Sequence, residues 1–283
     1  MTEATRRLPH DERPVLVTGA TGKVGRRVVD RLRADGLPAR AASRSLSGFE
    51  WDDPDTWGRH FDGAASVVLS YAPDIAYPGA GASVERFAAA AAAAGIRRAV
   101  LLSGRGEEAA VAAEALVRTH LPALTVVRGA FFAQNFTEGA LAESVAMGEL
   151  ALPAPDAPEP FVDAEDVAAM IAVTAARPGH EGRVYEATGP ALLTFREAAT
   201  AVAAARGASV HVEQVPVAEW TEQLRAAGLP DDLADLLGHL FTEVVDGRNA
   251  HVSPDVEAVT GRPPTPFAAF VRRDVRARAV APA

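Results

Sequence analysis

Three glycines with a regular spacing, Gly19, Gly22 and Gly25, are the residues of this chain that most clearly indicate chemistry. In a turn between a strand and a helix, the first glycine allows a tight turn and the second lets the backbone approach a pyrophosphate. The third lets the helix pack closely on the strand. Because the apolar run Val15–Thr18 precedes the turn and free N–H groups at the helix start attract phosphate, we expect a dinucleotide to bind here. The residues expected to contact it are these glycines together with Thr21, Lys23 and Val24.

The end of the second predicted strand, residues 39–43, indicates which dinucleotide binds. Proteins that bind NAD usually place Asp or Glu there to hold the ribose 2′-hydroxyl. This chain has Ser43 and Arg44 instead, and no acid. A guanidinium can pair with a 2′-phosphate, and a serine hydroxyl can donate to it. The sequence therefore favours NADPH over NADH, with the alternative that Arg44 is an ordinary surface arginine.

The elements that must position these residues follow the pattern of βαβ units. Short apolar runs alternate with longer amphipathic stretches through the first half of the chain, which predicts a parallel sheet. The strands predicted there are residues 15–18, 39–43, 66–70, 99–103 and 124–128, and the helices are 23–34, 84–94 and 107–119. Later in the chain we predict helices at 164–176, 195–206, 217–227, 231–245 and 266–273, and strands at 184–187 and 209–214.

The predicted fold class is therefore α/β: a doubly wound parallel sheet of the Rossmann type, with a smaller, mostly helical C-terminal substrate lobe. We expect residues 1–150 to form the dinucleotide-binding domain. Residues 151–283 would supply the remainder of the sheet and the substrate lobe, interleaved with the first domain.

The chain resembles the NmrA-like atypical short-chain dehydrogenases over nearly its whole length. The resemblance rests on residues 18–25, on Ala42-Ser43-Arg44, on Trp51-Asp52-Asp53-Pro54, on Leu101-Leu102-Ser103-Gly104, on residues 127–136, and on Phe161-Val162-Asp163 with Asp166-Val167-Ala168. The turn is common to many families, whereas the stretch from Arg128 to Phe136 is the more specific marker.

This resemblance implies a cleft between the Rossmann domain and the lobe that holds the nicotinamide and the substrate. It implies that Asp52 lies near the adenine, and that Tyr71, Ala72 and Pro73 follow a strand beside the nicotinamide. It also implies that Ser103 lines the catalytic cleft. Related members include quinone reductases, ketone reductases of polyketide tailoring, and redox-sensing regulators that bind the cofactor without turning it over.

The chain lacks the Tyr–Lys pair with which ordinary short-chain dehydrogenases pass a proton to the substrate oxygen. Lys23 is the only lysine, and none of the three tyrosines has a lysine four residues later. Glu114 and Arg118 stand at the expected place on the helix. Their i,i+4 spacing predicts an ion pair on one helix face, and we expect that pair to be structural.

Ser103 and Asn135 are the candidate catalytic residues. Ser103 ends a strand at the carboxyl edge of the sheet, where ligands bind in doubly wound folds. A turn serine or a helix N-cap is an equal alternative for it. Asn135 could donate a hydrogen bond to an acceptor carbonyl. Phe131, Phe132 and Phe136 could form a stacking wall for a flat acceptor, or could simply belong to the core.

The composition excludes several kinds of site. The chain has no cysteine, so disulfides, thiolate nucleophiles and cysteine-ligated zinc are impossible, and the seven scattered histidines predict no metal site. A net charge of −9 gives no support for a nucleic-acid partner. No apolar run is long enough to span a bilayer, and residues 1–13 lack the apolar core of a signal peptide. We therefore expect a cytoplasmic protein with a small-molecule substrate and no nucleic-acid or membrane partner.

The leading hypothesis is an NADPH-dependent reductase that transfers hydride to a ketone or quinone carbonyl of an aromatic or polyketide-type small molecule. Such an acceptor stabilises its own developing oxyanion, so that water could deliver the proton, and hydride transfer mainly requires close approach in a dry site. The alternative is a non-enzymatic NADP(H)-binding redox sensor that docks to a partner protein. The missing Tyr–Lys pair favours the sensor, whereas the large lobe and the apolar residues expected at the cleft favour the reductase.

Overall fold

The computed structural model describes residues 13–280 of the chain. Residues 1–12, which make up nearly all of the segment in which we expect no signal peptide, lie outside the described residues. Within the described range, none of the helices has the length and apolar character needed to cross a membrane.

The strands form one large sheet and two small ones. In chain order they are β1 (Val15–Thr18), β2 (Ala39–Ala42), β3 (Ser66–Leu69), β4 (Ala99–Gly104), β5 (Thr125–Gly129), β6 (Glu149–Leu152), β7 (Pro158–Glu159), β8 (Val184–Ala187), β9 (Leu193–Thr194) and β10 (His211–Gln214). Six of them pair in parallel in the order β2-β1-β3-β4-β5-β8. The predicted doubly wound sheet is confirmed, and the bounds predicted for these six strands are correct to within one residue.

The strand order places a crevice at the carboxyl end of β1. The chain passes from β1 outward to β2, and then returns to the other side of β1 to form β3. At such a switch point the two connections diverge and leave room for a ligand. Thr18 fixes this edge, because its buried hydroxyl donates to the carbonyl of Val68 (3.1 Å) and accepts from the N–H of Ser70 (3.0 Å).

Helices cover both faces of the large sheet. Those of eight residues or more are α1 (Lys23–Ala34), α4 (Ala80–Ala93), α5 (Glu108–His120), α6 (Ala140–Met147), α7 (Ala164–Ala176), α8 (Phe195–Ala205), α9 (Val217–Ala226), α10 (Asp231–His239) and α12 (Phe267–Val280). Short helices are α2 (Arg44–Ser47), α3 (Gly58–Phe61) and α11 (Asp255–Thr260), with 3-10 turns at Pro54–Thr56 and Ala133–Phe136. On one face α4 and α5 bury Phe87 and Val117, and on the other α1 and α7 bury Val28 and Ile171.

The later helices form a lobe with its own apolar core. Phe136, Phe161, Phe195 and Trp220 are among its buried members, and neighbouring rings meet edge to face, as between Phe161 and Phe195 at 4.9 Å. The two small sheets, β6 with β10 and β7 with β9, belong to this part of the molecule. Since α7 and β8 pack with the large sheet, the chain returns to the sheet after residue 150.

One predicted helix, residues 231–245, is interrupted in the structure. The α-helix α10 ends at His239, and residues Leu240–Val244 form a π-helical turn. Within this turn, the hydroxyl of Thr242 donates to the carbonyl of Gly238 at 2.9 Å. The predicted helical stretch is therefore present, and the type of helix changes after His239.

Candidate functional site

A cleft of about 890 Å³ runs from the carboxyl edge of the large sheet to the helical lobe. This volume lies within the range typical of small-molecule sites. All the predicted site residues except Gly25 line it: Gly19, Thr21, Gly22, Lys23, Val24, Ser43, Arg44, Asp52, Tyr71, Ala72, Pro73, Ser103 and Asn135. The fold therefore brings together residues that lie more than a hundred positions apart in the sequence.

The glycine turn is built so closely that two of its glycines cannot carry a side chain. Gly19 has a positive φ of 60°, and a Cβ there would lie 2.5 Å from the carbonyl oxygen of Ser70. A Cβ on Gly25 would overlap the carbonyl oxygen of Gly19. Gly25 thus lies behind the turn, where it allows α1 to approach the strand, in agreement with the role that its spacing predicts.

The start of α1 has the chemistry that a phosphate requires. Its N-cap, Gly22, provides no side-chain hydrogen bond, and its first turn contains no acidic residue. The first N–H groups of a helix have no partner within the helix, and the positive end of the helix dipole lies with them; Gly22, Lys23 and Val24, at this helix start, line the cleft. The residues present therefore fit a pyrophosphate group.

Lys23, the single lysine, joins this turn to the lobe. Its ammonium donates to Oδ1 of Asn135 at 2.7 Å, and burial lowers the pKa of Lys23. Because that bond occupies the amide oxygen, the Nδ2 group of Asn135 is the part that can donate to a ligand in the cleft. The arrangement is compatible with the role predicted for Asn135, which stays a prediction.

Ser43 and Arg44, which directly follow β2, already have hydrogen-bond partners within the protein. The hydroxyl of Ser43 caps α2 and accepts from the N–H of Leu46 at 3.3 Å. The Nε group of Arg44 donates to Glu50 at 2.7 Å, and this hydrogen bond raises the pKa of Arg44. The side chain of Arg44 is 82% exposed, so its guanidinium can exchange this carboxylate for another anion. Nothing in the sequence singled out Glu50 as a residue of the cleft.

Tyr71 lines the cleft, and it has no lysine four residues later with which to form a Tyr–Lys pair. Its ring centroid lies 5.0 Å from that of Trp51, which also lines the cleft. Asp52, which follows Trp51, is exposed at the same wall. The positions implied for Asp52 and Tyr71 are thus at the cleft, and their contacts with a cofactor stay predictions.

Ser103 lies at the carboxyl edge of β4 and is buried. Its hydroxyl donates to Oε1 of Glu114 at 2.7 Å, so its one hydrogen is already used. Glu114 also accepts from Nε and Nη2 of Arg128, at 2.8 and 2.6 Å. The predicted pair between Glu114 and Arg118 is therefore wrong. Glu114 faces the sheet and meets Arg128, the residue paired with Ser103 in the neighbouring strand, while Arg118 donates to the carbonyl of Leu124.

Two of the three phenylalanines proposed as a stacking wall lie at the cleft. Phe131 and Phe132 line it, and Trp220 and Phe241 of the lobe add aromatic surface beside them. Phe136 is instead fully buried in the core of the lobe. Of the two alternatives that the sequence left open for this residue, the core is therefore the correct one.

Three acidic residues that were not predicted as site residues also line the cleft: Asp74, Glu107 and Glu159. Burial raises the pKa of Asp74, and burial with the nearby Asp74 raises the pKa of Glu107 to about 8. Burial raises the pKa of Glu159 to about 7, although its carboxylate accepts from the N–H of Phe131. In the sequence, Glu107 resembles an ordinary acid at a helix start. Only its position next to Gly104 in the structure shows that it belongs to the cleft.

Comparison with known proteins places the chain in a family. The model of the NmrA-like family matches residues 108–264. A reductase from Streptomyces griseus that acts on (4-alkanoyl-5-oxo-2,5-dihydrofuran-3-yl)methyl phosphate is 34% identical, over 89% of this chain and 95% of its own. The chain belongs to the NmrA-like family. This confirms the resemblance on which the sequence analysis relied.

Other proteins are similar to this chain over nearly its whole length, in sequence or in structure. The NAD(P)H azoreductase of Xenophilus azovorans is 28% identical over 91% of this chain and 96% of its own. The crystal structure of triphenylmethane reductase from Citrobacter sp., complexed with NADP(H), superposes with a TM-score of 0.73 at 21% identity. That match covers 92% of this chain and 99% of the other, so this NmrA-like chain has the same overall fold from the sheet to the lobe.

Proposed function

We propose that this protein is an NADPH-dependent reductase that transfers hydride to a ketone or quinone carbonyl of an aromatic or polyketide-type small molecule. The observation that carries the proposal is the continuity of the cleft: the phosphate-binding turn and an aromatic chamber open into one space. A protein that only sensed its cofactor would have less need of an enclosed apolar chamber. The names of the relatives, a reductase and an azoreductase, support the same class of reaction.

The residues that would hold the cofactor follow from the fit of the turn to a pyrophosphate. The amides at the start of α1 would bind the phosphates, and Lys23 would supply a positive charge beside them. Arg44 would meet a 2′-phosphate after releasing Glu50. When bound, the cofactor supplies the hydride.

The opposite end of the cleft suits a flat acceptor. Phe131, Phe132, Trp220 and Phe241 present aromatic surface, against which an aromatic acceptor would stack and exclude water. The amide Nδ2 of Asn135, held in orientation by Lys23, would donate to the acceptor carbonyl. Alignment in a dry chamber is the main requirement for hydride transfer.

The test is to mix the protein with NADPH and a panel of quinones and polycyclic aromatic ketones, and to follow the absorbance of the reduced nicotinamide. We expect oxidation with at least one acceptor, at a rate proportional to the protein concentration and above the background measured without acceptor. Tight NADPH binding with no oxidation across the panel would contradict the reductase and favour the redox sensor.

A further inference from the structure

Reduction of a carbonyl requires a proton at the acceptor oxygen, from water or from a side chain, and the side chains that usually deliver it are absent or engaged. Tyr71 has no lysine partner, and the hydroxyl hydrogen of Ser103 is donated to Glu114. The amide of Asn135 can donate a hydrogen bond but does not lose a proton near neutral pH. Lys23 lies at the start of α1, among the residues that fit the phosphates, and its ammonium donates to Asn135. Among the other described residues of the cleft, the carboxyl groups are the candidate acids.

Glu107 has the position of such an acid. It precedes α5, and its carboxyl lies so close to Gly104 that a Cβ on that glycine would overlap Oε1. Gly104 directly follows Ser103 at the carboxyl edge of β4, and both line the cleft. The absence of a side chain at Gly104 thus makes the space that the carboxyl occupies, at the edge of the sheet where ligands bind.

The second oxygen of Glu107 indicates the protonation state of the group. Oε2 is buried, and no hydrogen bond reaches it from any residue of the range 13–280. A buried charged carboxylate without a hydrogen-bond donor is strongly disfavoured, whereas a neutral acid in the same place is tolerated. In agreement, burial and Asp74 raise the pKa of Glu107 to about 8.

The charged groups around Glu107 also favour the protonated, neutral form of its carboxyl group. Asp74, after β3, is a second buried carboxyl that disfavours a negative charge on Glu107. Arg105, the nearest arginine in sequence, is engaged elsewhere: it donates to Glu186 at 2.9 Å and to the carbonyl of Asn249 at 2.8 Å. Glu159 differs from Glu107, since it accepts from the N–H of Phe131 and is near the charge of Arg105.

We propose that Glu107 is the catalytic acid of this cleft, with Asp74 as the positioning residue that keeps it protonated. The inference rests on the proposed reductase function. In the reduction, the carbonyl carbon gains the hydride from NADPH and the C=O π bond becomes an O–H bond. The oxygen takes its proton from the carboxyl of Glu107, which becomes a carboxylate and then regains a proton from solvent.

The decisive experiment compares Glu107→Gln with the wild-type protein on two kinds of acceptor. A carbonyl acceptor needs a proton as well as a hydride, whereas a cationic triarylmethyl dye is neutralised by hydride alone. We expect Glu107→Gln to lower kcat for the carbonyl acceptor by about a hundredfold, the lower end of the usual contribution of general acids. The dye reaction and the Kd for NADPH should change less than twofold. Glu108→Gln, which removes an exposed acid one residue later, is the matched control and should change none of these quantities.

Two further readouts separate proton donation from a structural role. The wild-type kcat for the carbonyl acceptor should fall above about pH 8, and Asp74→Asn should move that fall to lower pH, because it removes the neighbouring carboxyl. The infrared difference spectrum of the wild-type protein minus Glu107→Gln at pH 7 should contain a protonated carboxyl band, because the band of Glu159 is present in both proteins and cancels.

The outcomes distinguish this inference from the proposed function. An active wild-type protein whose Glu107→Gln variant keeps the carbonyl rate, or loses both rates equally, would overturn the role of Glu107 alone. A wild-type protein that reduces neither acceptor would overturn the reductase, and this inference with it.

Discussion

At the residue scale, we expect the pair between Arg44 and Glu50 to set how strongly the protein prefers a phosphorylated cofactor. The guanidinium is exposed and held by a carboxylate that also lines the cleft. A 2′-phosphate must compete with this carboxylate for the same donors and is repelled by its charge. We therefore expect Arg44 and Glu50 to have opposite effects on the binding of NADPH.

We expect Arg44→Ala to weaken NADPH binding about tenfold while leaving NADH binding nearly unchanged, because only NADPH carries the phosphate. Glu50→Gln should strengthen NADPH binding by up to about fivefold, since the competing charge is lost. Fluorescence titration with both cofactors measures these changes. Arg31→Ala, which breaks a similar pair with Asp35 on α1, serves as the control. Equal effects of Arg44→Ala on both cofactors would remove the argument for the 2′-phosphate.

At the element scale, the contact between the glycine turn and α1 determines whether the phosphate site exists. A Cβ at Gly25 overlaps the backbone of Gly19, and backbone cannot move aside without shifting the strand or the helix. We expect Gly25→Ala to destabilise the protein by about 2 kcal/mol or more and to abolish NADPH binding. Thermal unfolding and NADPH titration measure the two effects.

The control for this prediction is Gly58→Ala, at the exposed start of α3. A Cβ there meets nothing within 4 Å. Alanine also loses less backbone entropy on folding than glycine, so this variant should be neutral or more stable by about 0.5 kcal/mol. A Gly25→Ala variant as stable as Gly58→Ala, with normal NADPH binding, would contradict the close packing described for the turn.

At the scale of the whole molecule, the buried acids of the cleft make stability depend on pH. Burial raises the pKa of Glu159 to about 7, so the folded protein holds this proton more tightly than the unfolded chain does. The stabilisation is complete below the ordinary glutamate pKa, and it is lost as the pH rises toward 7. Glu107 acts in the same direction up to about pH 8. The folded protein should therefore lose stability between about pH 5 and pH 8 on account of its own cleft.

Replacement of Glu159 by glutamine tests this linkage. At pH 5 Glu159 of the folded protein is neutral, as is the glutamine that replaces it. We therefore expect Glu159→Gln to differ little from the wild type in the free energy of unfolding at this pH. At pH 8 the variant should be more stable by on the order of 2 kcal/mol, because one pKa unit corresponds to about 1.4 kcal/mol. Urea unfolding at the two pH values measures the difference, with the exposed Glu149→Gln as control. A constant difference between the two pH values would contradict the raised pKa.

The sheet, the glycine turn and the edge of the sheet where a ligand would lie could all be predicted from the sequence. These features follow from local patterns: apolar runs of strand length, the spacing of Gly19, Gly22 and Gly25, and amphipathic helices with clear ends. The order of strands and helices then places Ser103 and Tyr71 at that edge, because parallel strands present their carboxyl ends together. The residues predicted to line the cleft were found there for this reason.

The hydrogen-bond partners of the polar side chains could not be predicted from the sequence, because they depend on how the elements pack. Glu114 could pair within its helix, but the fold turns it toward Arg128, and Phe136 turns into the core while Phe131 faces the cleft. The sequence shows Glu107 as an exposed acid at a helix start, and only packing against Gly104 and proximity to Asp74 change its chemistry. Burial and neighbouring charges set the free energy of ionisation, and both depend on residues that are distant in the sequence.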